Sequence, residues 1–167
     1  EKKYRDPAVL SDFIRKEIDL LCIGISWNAQ FDAICDFIRT LPDEVTTVVG
    51  GHKATEEVEN LFARCPNIDL IARGEAEDTI RDIVQGVPLK DTLGISYREG
   101  GGIIHNPIRP LPDIARVAFP DRSLRRHEYR WVQHGVRFSH HAFDTVLTSR
   151  GCPYTCKFCT FSLNPLG

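Results

Sequence analysis

From Asp19 to Ser26 the chain reads DLLCIGIS, apolar residues following one another with no polar residue at every second place. A strand buried on both faces reads this way, so the run predicts an interior strand of a parallel sheet, set in mid-sheet. Ahead of it, Asp6-Pro7 puts a capping side chain before a proline at the first helical position, and Leu10, Phe13, Ile14 and Ile18 recur near helical spacing. These predict a helix over residues 7 to 17.

After the strand, Phe31, Ile34, Cys35, Ile38 and Leu41 fall on one helical stripe that stops before Pro42. Thr46 to Val49 is a short β-branched strand broken at Gly50-Gly51. Thr55 is expected to cap the next helix, with Glu56 and Glu57 in its first turn and Val58, Leu61 and Phe62 facing inward. Ile68 to Ala72 repeats the strand, Gly74 the turn, and Ile80, Ile83 and Val84 the apolar face of a helix ending at Gly86 and Pro88. Three strand and helix units with short connections predict an α/β fold: a doubly wound, Rossmann-like parallel sheet with right-handed crossovers. Such a sheet has about five or six strands. Only three are visible and the first helix lacks a strand before it, so an N-terminally truncated domain is expected over residues 1–90.

The texture changes at Leu93. Residues 93–98 and 103–105 read as a β-hairpin across Glu99-Gly100-Gly101-Gly102, and Pro107, Pro110, Pro112 and Pro120 then punctuate an extended bridge. Residues 91–143 are read as hairpin and linker, although 122–143, rich in Arg and His, show no period and predict no element. Asp144 to Ser149 is a last apparent strand and opens a third segment, 144–167.

Composition narrows the function classes. Of the 167 residues, 42% are hydrophobic and 26% charged, and no apolar run approaches the ~20 residues of a membrane span. A net charge of −2 without a Lys/Arg block gives no footprint for nucleic acid, so small-molecule chemistry is the expectation. No signal peptide is visible in a chain that begins at Glu1 and contains no methionine. Six cysteines in an α/β chain of this length suit a reduced, cytoplasmic protein with a metal site better than a disulfide framework.

Three of those cysteines form a motif. Ser149-Arg150-Gly151-Cys152-Pro153-Tyr154-Thr155-Cys156-Lys157-Phe158-Cys159 spaces its thiols as C-x-x-x-C-x-x-C. Ordinary clusters take four cysteines, so a 4Fe-4S cube held by Cys152, Cys156 and Cys159 leaves one iron with an open position for a bound molecule. Structural zinc on these three with His140 or His141 is the plainer alternative, Cys₃His being a known zinc set, although zinc sites usually pair cysteines as C-x-x-C. Cys22, Cys35 and Cys65 read as core filler.

The cysteine stretch, with Phe158 before the third thiol and a strand ahead of the first, resembles the radical S-adenosylmethionine superfamily. That resemblance implies that the open iron chelates the amino and carboxylate groups of S-adenosylmethionine. An electron then cleaves the sulfonium to a 5'-deoxyadenosyl radical, with Phe158 lining the adenine side. Taken with GIS, VVGGHKAT, the D-x-I-x-R-G-E-A-E run (read at residues 69–77), the GISY hairpin and the proline bridge, the chain from about Asp19 to Gly167 resembles the cobalamin-binding members. The resemblance implies that loops after the strands grip cobalamin, through Ser26, through Gly50, Gly51 and His52, and through Gly74 and Glu75. It also implies that residues 144–167 begin a partial (β/α) barrel, that a small-molecule substrate and a reductant such as flavodoxin or ferredoxin are partners, and that methyl transfer is the commonest outcome, ahead of ring closure and rearrangement.

From the residues alone, glycines at strand ends suit close approach of a ligand, and helix N-termini there suit an anionic group, but such glycines are often structural. No D-x-H-x-x-G segment occurs, and the lower axial ligand of cobalt stays unassigned. His52 also reads as a solvated or capping residue, and Glu56, Glu57 and Glu59 as a solvated helix face. With the later barrel absent, the fragment alone is expected not to turn over. Two rival readings stay open: a degenerate front domain before a radical enzyme that lacks cobalamin, and a zinc-stabilised interaction module without catalysis.

Overall fold

The computed structural model describes residues 6–26, 28–124, 132–133, 136–137, 144, 154 and 156–158. The chain forms two compact units, Glu1–Pro112 and Asp113–Gly167.

In the first unit, helix α1 (Pro7–Glu17) begins as its sequence predicts: the Asp6 carboxylate accepts the Ala8 N–H at 2.9 Å, and proline fills the first turn. Strands β1 (Leu20–Gly24), β2 (Thr46–Gly50) and β3 (Leu70–Ala72) pair in parallel, with Leu20 opposite Thr46, Gly24 opposite Gly50 and Val48 opposite Leu70. Between them lie α2 (Phe31–Ile38), the five-residue α3 (His52–Glu56) and α4 (Val58–Arg64). After β3 come α5 (Glu77–Val84) and the hairpin strands β4 (Ile95–Glu99) and β5 (Gly102–His105). The five strands form one sheet in the order β1-β2-β3-β4-β5.

The α/β class expected from the sequence is the class observed, with a sheet that is mixed. Strands β4 and β5 run antiparallel, and β4 pairs directly with β3, Ala72 opposite Ile95. Residues 85–94 return alongside α5 to the end at which β3 stopped, where Thr79 Oγ1 donates to the Leu93 carbonyl at 3.1 Å. A strand starting there can only run back. The hairpin closes through Gly100 and Gly101, both at positive φ (59° and 83°), the geometry of a type I′ turn.

Alternate residues of the strands feed two cores. Ile25, Val49 and Ile71 pack with Ile14, Phe31, Cys35, Ile38, Leu61 and Phe62 of α1, α2 and α4. Val48, Leu70, Ala72, Ile95 and Tyr97 pack on the other face, with Ile80 and Ile83 of α5 against them. Helices therefore cover both faces, as in a doubly wound sheet, but among the described residues α5 is the helix that serves the second. Val84, expected inward, is 68% exposed, and Thr79 is buried in its place.

Two further expectations give way here. β1 is an edge strand of the described sheet, and Cys22, read as core, is exposed on it. Cys35 and Cys65 are fully buried as expected, with the Cys65 thiol 3.8 Å from the Cys35 carbonyl.

The proline bridge starts firmly attached. Asn106 donates to the Leu89 and Thr92 carbonyls, both at 2.6 Å, and Arg109 pairs with Asp82 while its Nε donates to Thr79 Oγ1 at 3.0 Å. In the second unit, β6 (Val132–Gln133) and β7 (Val136–Arg137) form a small antiparallel pair within the stretch that predicted no element. Of the strand expected at 144–149, all but Asp144 lies outside the described residues. No described helix is long and apolar enough to cross a membrane.

Candidate cofactor site

The carboxyl ends of the three parallel strands release three loops side by side: Ile25-Ser26, Gly50-Gly51-His52 and Arg73-Gly74-Glu75. In open α/β sheets this is the end at which ligands bind. The structure brings together the residues expected from the sequence, Ser26, Gly50, Gly51, His52, Gly74 and Glu75, on these three neighbouring loops. Ser26 is exposed, and His52, Gly74 and Glu75 are half-buried.

The loops are chained by hydrogen bonds. Ile25 extends the ladder by donating to the Gly50 carbonyl at 2.7 Å, and its own carbonyl accepts the Lys53 N–H at 3.0 Å. Gly51 lies at φ 99°, and a Cβ there would stand 2.7 Å from the Ile25 carbonyl oxygen, so only glycine fits. Thr55 Oγ1 donates to the Gly51 carbonyl at 3.1 Å and accepts the Gly74 N–H at 3.1 Å. One side chain thus ties the second loop to the third.

The expectation that Thr55 caps a helix is corrected by this arrangement. The helix starts earlier, at His52, breaks at Glu57 and restarts at Val58, so Thr55 lies inside the short α3 and bonds four residues back. The N–H groups of Lys53 and Thr55, at the start of α3, are already donated to protein carbonyls.

A second feature escaped the sequence reading. Gly24, Gly50 and Ala72 form a row across the three parallel strands, on the same face as Val48 and Leu70. A Cβ on Gly24 would meet nothing within 4 Å, and one on Gly50 would reach Ala72 only at ordinary contact distance, 3.7 Å to its Cβ. Space is open above Gly24, while Ala72 at the other end of the row is buried in the second core. The available signal was the glycine of GIS, which closes β1 directly opposite Gly50.

Charge around the loops is largely neutralised within the protein. Lys53 bonds Glu57 at 2.7 Å and Glu56 at 3.5 Å, and the Glu57 hydrogen bond raises the Lys53 pKa. The same bond, followed by one from Asn60, lowers that of Glu57. Glu59 stands 3.3 Å from His105 Nε2. Of the three glutamates expected on a solvated face, Glu56 and Glu59 are exposed and Glu57 is half-buried. Arg73, which the sequence did not single out, donates to the carbonyls of Ile95 and Asn106; burial lowers its pKa, with Glu59 acting the other way.

In the second unit, Tyr154, Cys156, Lys157 and Phe158 are exposed, Phe158 at 91%. Cys152 and Cys159 lie outside the described residues, as do His140 and His141. Among the described residues no cluster of three His, Cys, Asp or Glu side chains could hold a metal ion.

No protein-family model matches the chain. Known proteins do. An uncharacterized methyltransferase of Pyrococcus horikoshii is 34% identical over 152 residues, 87% of this chain and 32% of that protein. The anaerobic magnesium-protoporphyrin IX monomethyl ester cyclase of Synechocystis is 28% identical over 84% of this chain and 29% of its own length. The cobalamin-dependent radical SAM methyltransferase TokK of Streptomyces tokunonensis is 29% identical over 86% of this chain and 22% of its own. Among solved structures, the radical S-adenosylmethionine methyltransferase TsrM of Kitasatospora setae, with cobalamin and a [4Fe-4S] cluster bound, aligns at a TM-score of 0.48 and 16% identity over 80% of this chain and 23% of that one.

The chain is homologous to the cobalamin-binding radical S-adenosylmethionine enzymes, the family its motifs resemble. It spans about a third or less of the length of these relatives.

Proposed function

We propose that the chain is the junction of a cobalamin-dependent radical enzyme: a sheet unit that seats cobalamin, followed by the thiolates of a 4Fe-4S cluster that binds S-adenosylmethionine. The observation that carries the reading is the open space above Gly24, beside Gly50, at the end of the sheet where the first loop is bonded to the second and the second to the third. A wide, flat group needs an end of the sheet where no side chain stands up, and Gly24 with Gly50 supplies one. Gly50, Gly51, His52, Gly74, Glu75 and Ser26 are the residues on the loops that would hold it.

The donor set of the second unit fits a cluster with one open iron. Cys152, Cys156 and Cys159 would bind three irons, and Phe158 would lie against the nucleoside of S-adenosylmethionine. When bound, the two cofactors supply radical generation and a carrier for a methyl group or an electron. The protein's own part is to hold the loops at fixed spacing and to present the three thiolates. Methyl transfer to an unactivated carbon of a small molecule is the reaction we assign to the whole enzyme, and a small electron-transfer protein would supply the reducing equivalent. The cyclases among the relatives make ring closure the second reading.

The test uses the full-length protein, reconstituted with iron and sulfide without oxygen and incubated with hydroxocobalamin. About four irons, lost in Cys156→Ala, together with a retained corrin spectrum support the proposal. Iron without corrin would leave a radical enzyme with a degenerate front unit, and zinc without iron would make the chain an interaction module.

A further inference from the structure

We propose that Thr55 is a positioning residue for the cofactor site: its hydroxyl sets the spacing between the loop after β2 and the loop after β3. The inference rests on the cobalamin reading above and adds a residue that neither the motifs nor the relatives' names assign.

The loop after β2 is held to the first loop through backbone, by the Lys53 N–H to the Ile25 carbonyl at 3.0 Å and by the close approach of Gly51 to Ile25. Between the second and third loops, the Thr55 hydroxyl is a hydrogen-bonded link: it donates to Gly51 and accepts from Gly74, each at 3.1 Å. A hydroxyl can donate and accept at once, which no apolar side chain of the same shape can do. Strands β2 and β3 are held by their own parallel pairing, Val48 opposite Leu70 and Val49 opposite Ile71, while Thr55 ties the loops that follow them. Removing the hydroxyl leaves a half-buried Gly74 N–H without an acceptor, and the third loop relaxes away from the second.

Three variants of the full-length protein separate a positioning role from a merely structural one. Thr55→Val keeps the shape and deletes both bonds, Thr55→Ser keeps both bonds, and Thr55→Ala deletes them without bulk should valine fail to fold. Hydroxocobalamin is titrated into each and bound corrin is read from its absorbance, with reconstituted iron as the control that the rest of the protein is intact. The expected result is roughly tenfold weaker corrin binding for valine and alanine, the loss of one or two hydrogen bonds, with serine close to the parent and iron unchanged in all. Equal corrin binding by parent, valine and alanine proteins would overturn the positioning role and leave the cobalamin reading standing. A parent protein that binds no corrin would overturn both.

Discussion

Gly51 and Ile25 approach so closely that a methyl group on Gly51 would stand 2.7 Å from the Ile25 carbonyl oxygen, at a backbone φ of 99° that favours glycine. The clash is with backbone, so no rotamer change relieves it. Gly51→Ala is therefore expected to cost about 1–3 kcal/mol of stability, measured by urea denaturation, and to weaken corrin retention in step with the displaced loop. A variant as stable as the parent would show that the loop has room this geometry denies it.

Gly24 makes the opposite case. Nothing lies within 4 Å of its missing Cβ, and a β-branched residue suits a strand end, so Gly24→Val should fold with unchanged or slightly higher stability. If the space above Gly24, beside Gly50, holds the cofactor, the same variant should lose corrin binding severalfold, because the isopropyl group occupies that space. Unchanged absorbance of bound corrin would remove Gly24 from the site.

Arg98 closes the end of α4. Its guanidinium donates to the carbonyls of Phe62 and Ile68 at 2.6 Å and of Cys65 and Pro66 at 3.2 Å, and lies 4.5 Å from the centre of the Phe62 ring. Four carbonyls at or beyond a helix terminus are thus satisfied from a strand distant in sequence. Arg98→Ala should cost about 2 kcal/mol, seen as a lowered melting temperature, and Arg98→Lys should recover only part of it, since a single ammonium cannot span the same acceptors.

Burial, followed by the hydrogen bond to Cys35, pushes the Cys65 thiol up to about 11. The unfolded chain ionises this thiol at lower pH than the folded one, so the unfolded state loses protons first. Cys65's contribution to stability is complete below about pH 9, the ordinary thiol value, and is lost as pH rises toward 11. Denaturation midpoints measured across that window should fall, and Cys65→Ala should flatten the fall. Iodoacetamide at pH 8 should spare Cys35 and Cys65 in the folded protein and modify the exposed Cys22.

Local signals specified much of this protein without help from the fold. Asp6-Pro7 starts α1 because its cap and its fixed φ act within a single turn, and the stripe of Phe31, Cys35 and Ile38 is one buried helix face. Gly100 and Gly101 make the hairpin turn because positive φ is a property of those two residues. The C-x-x-x-C-x-x-C spacing is likewise a local signal, and the cluster it suggests belongs to the proposal above.

What depended on residues far apart had to await the tertiary structure. An unbroken apolar run cannot say whether a strand has neighbours on both sides, so β1 read as central and stands at the edge of the described sheet. The direction of β4 was set by where residues 85–94 bring the chain back, a matter of loop path rather than of β4's own residues. Thr55 looked like a cap because threonine before two glutamates resembles one; its hydroxyl found Gly74 only once β2 and β3 lay side by side. Chemistry carried within one turn or one loop is legible in a sequence, whereas a bond between loops exists only after the sheet has paired.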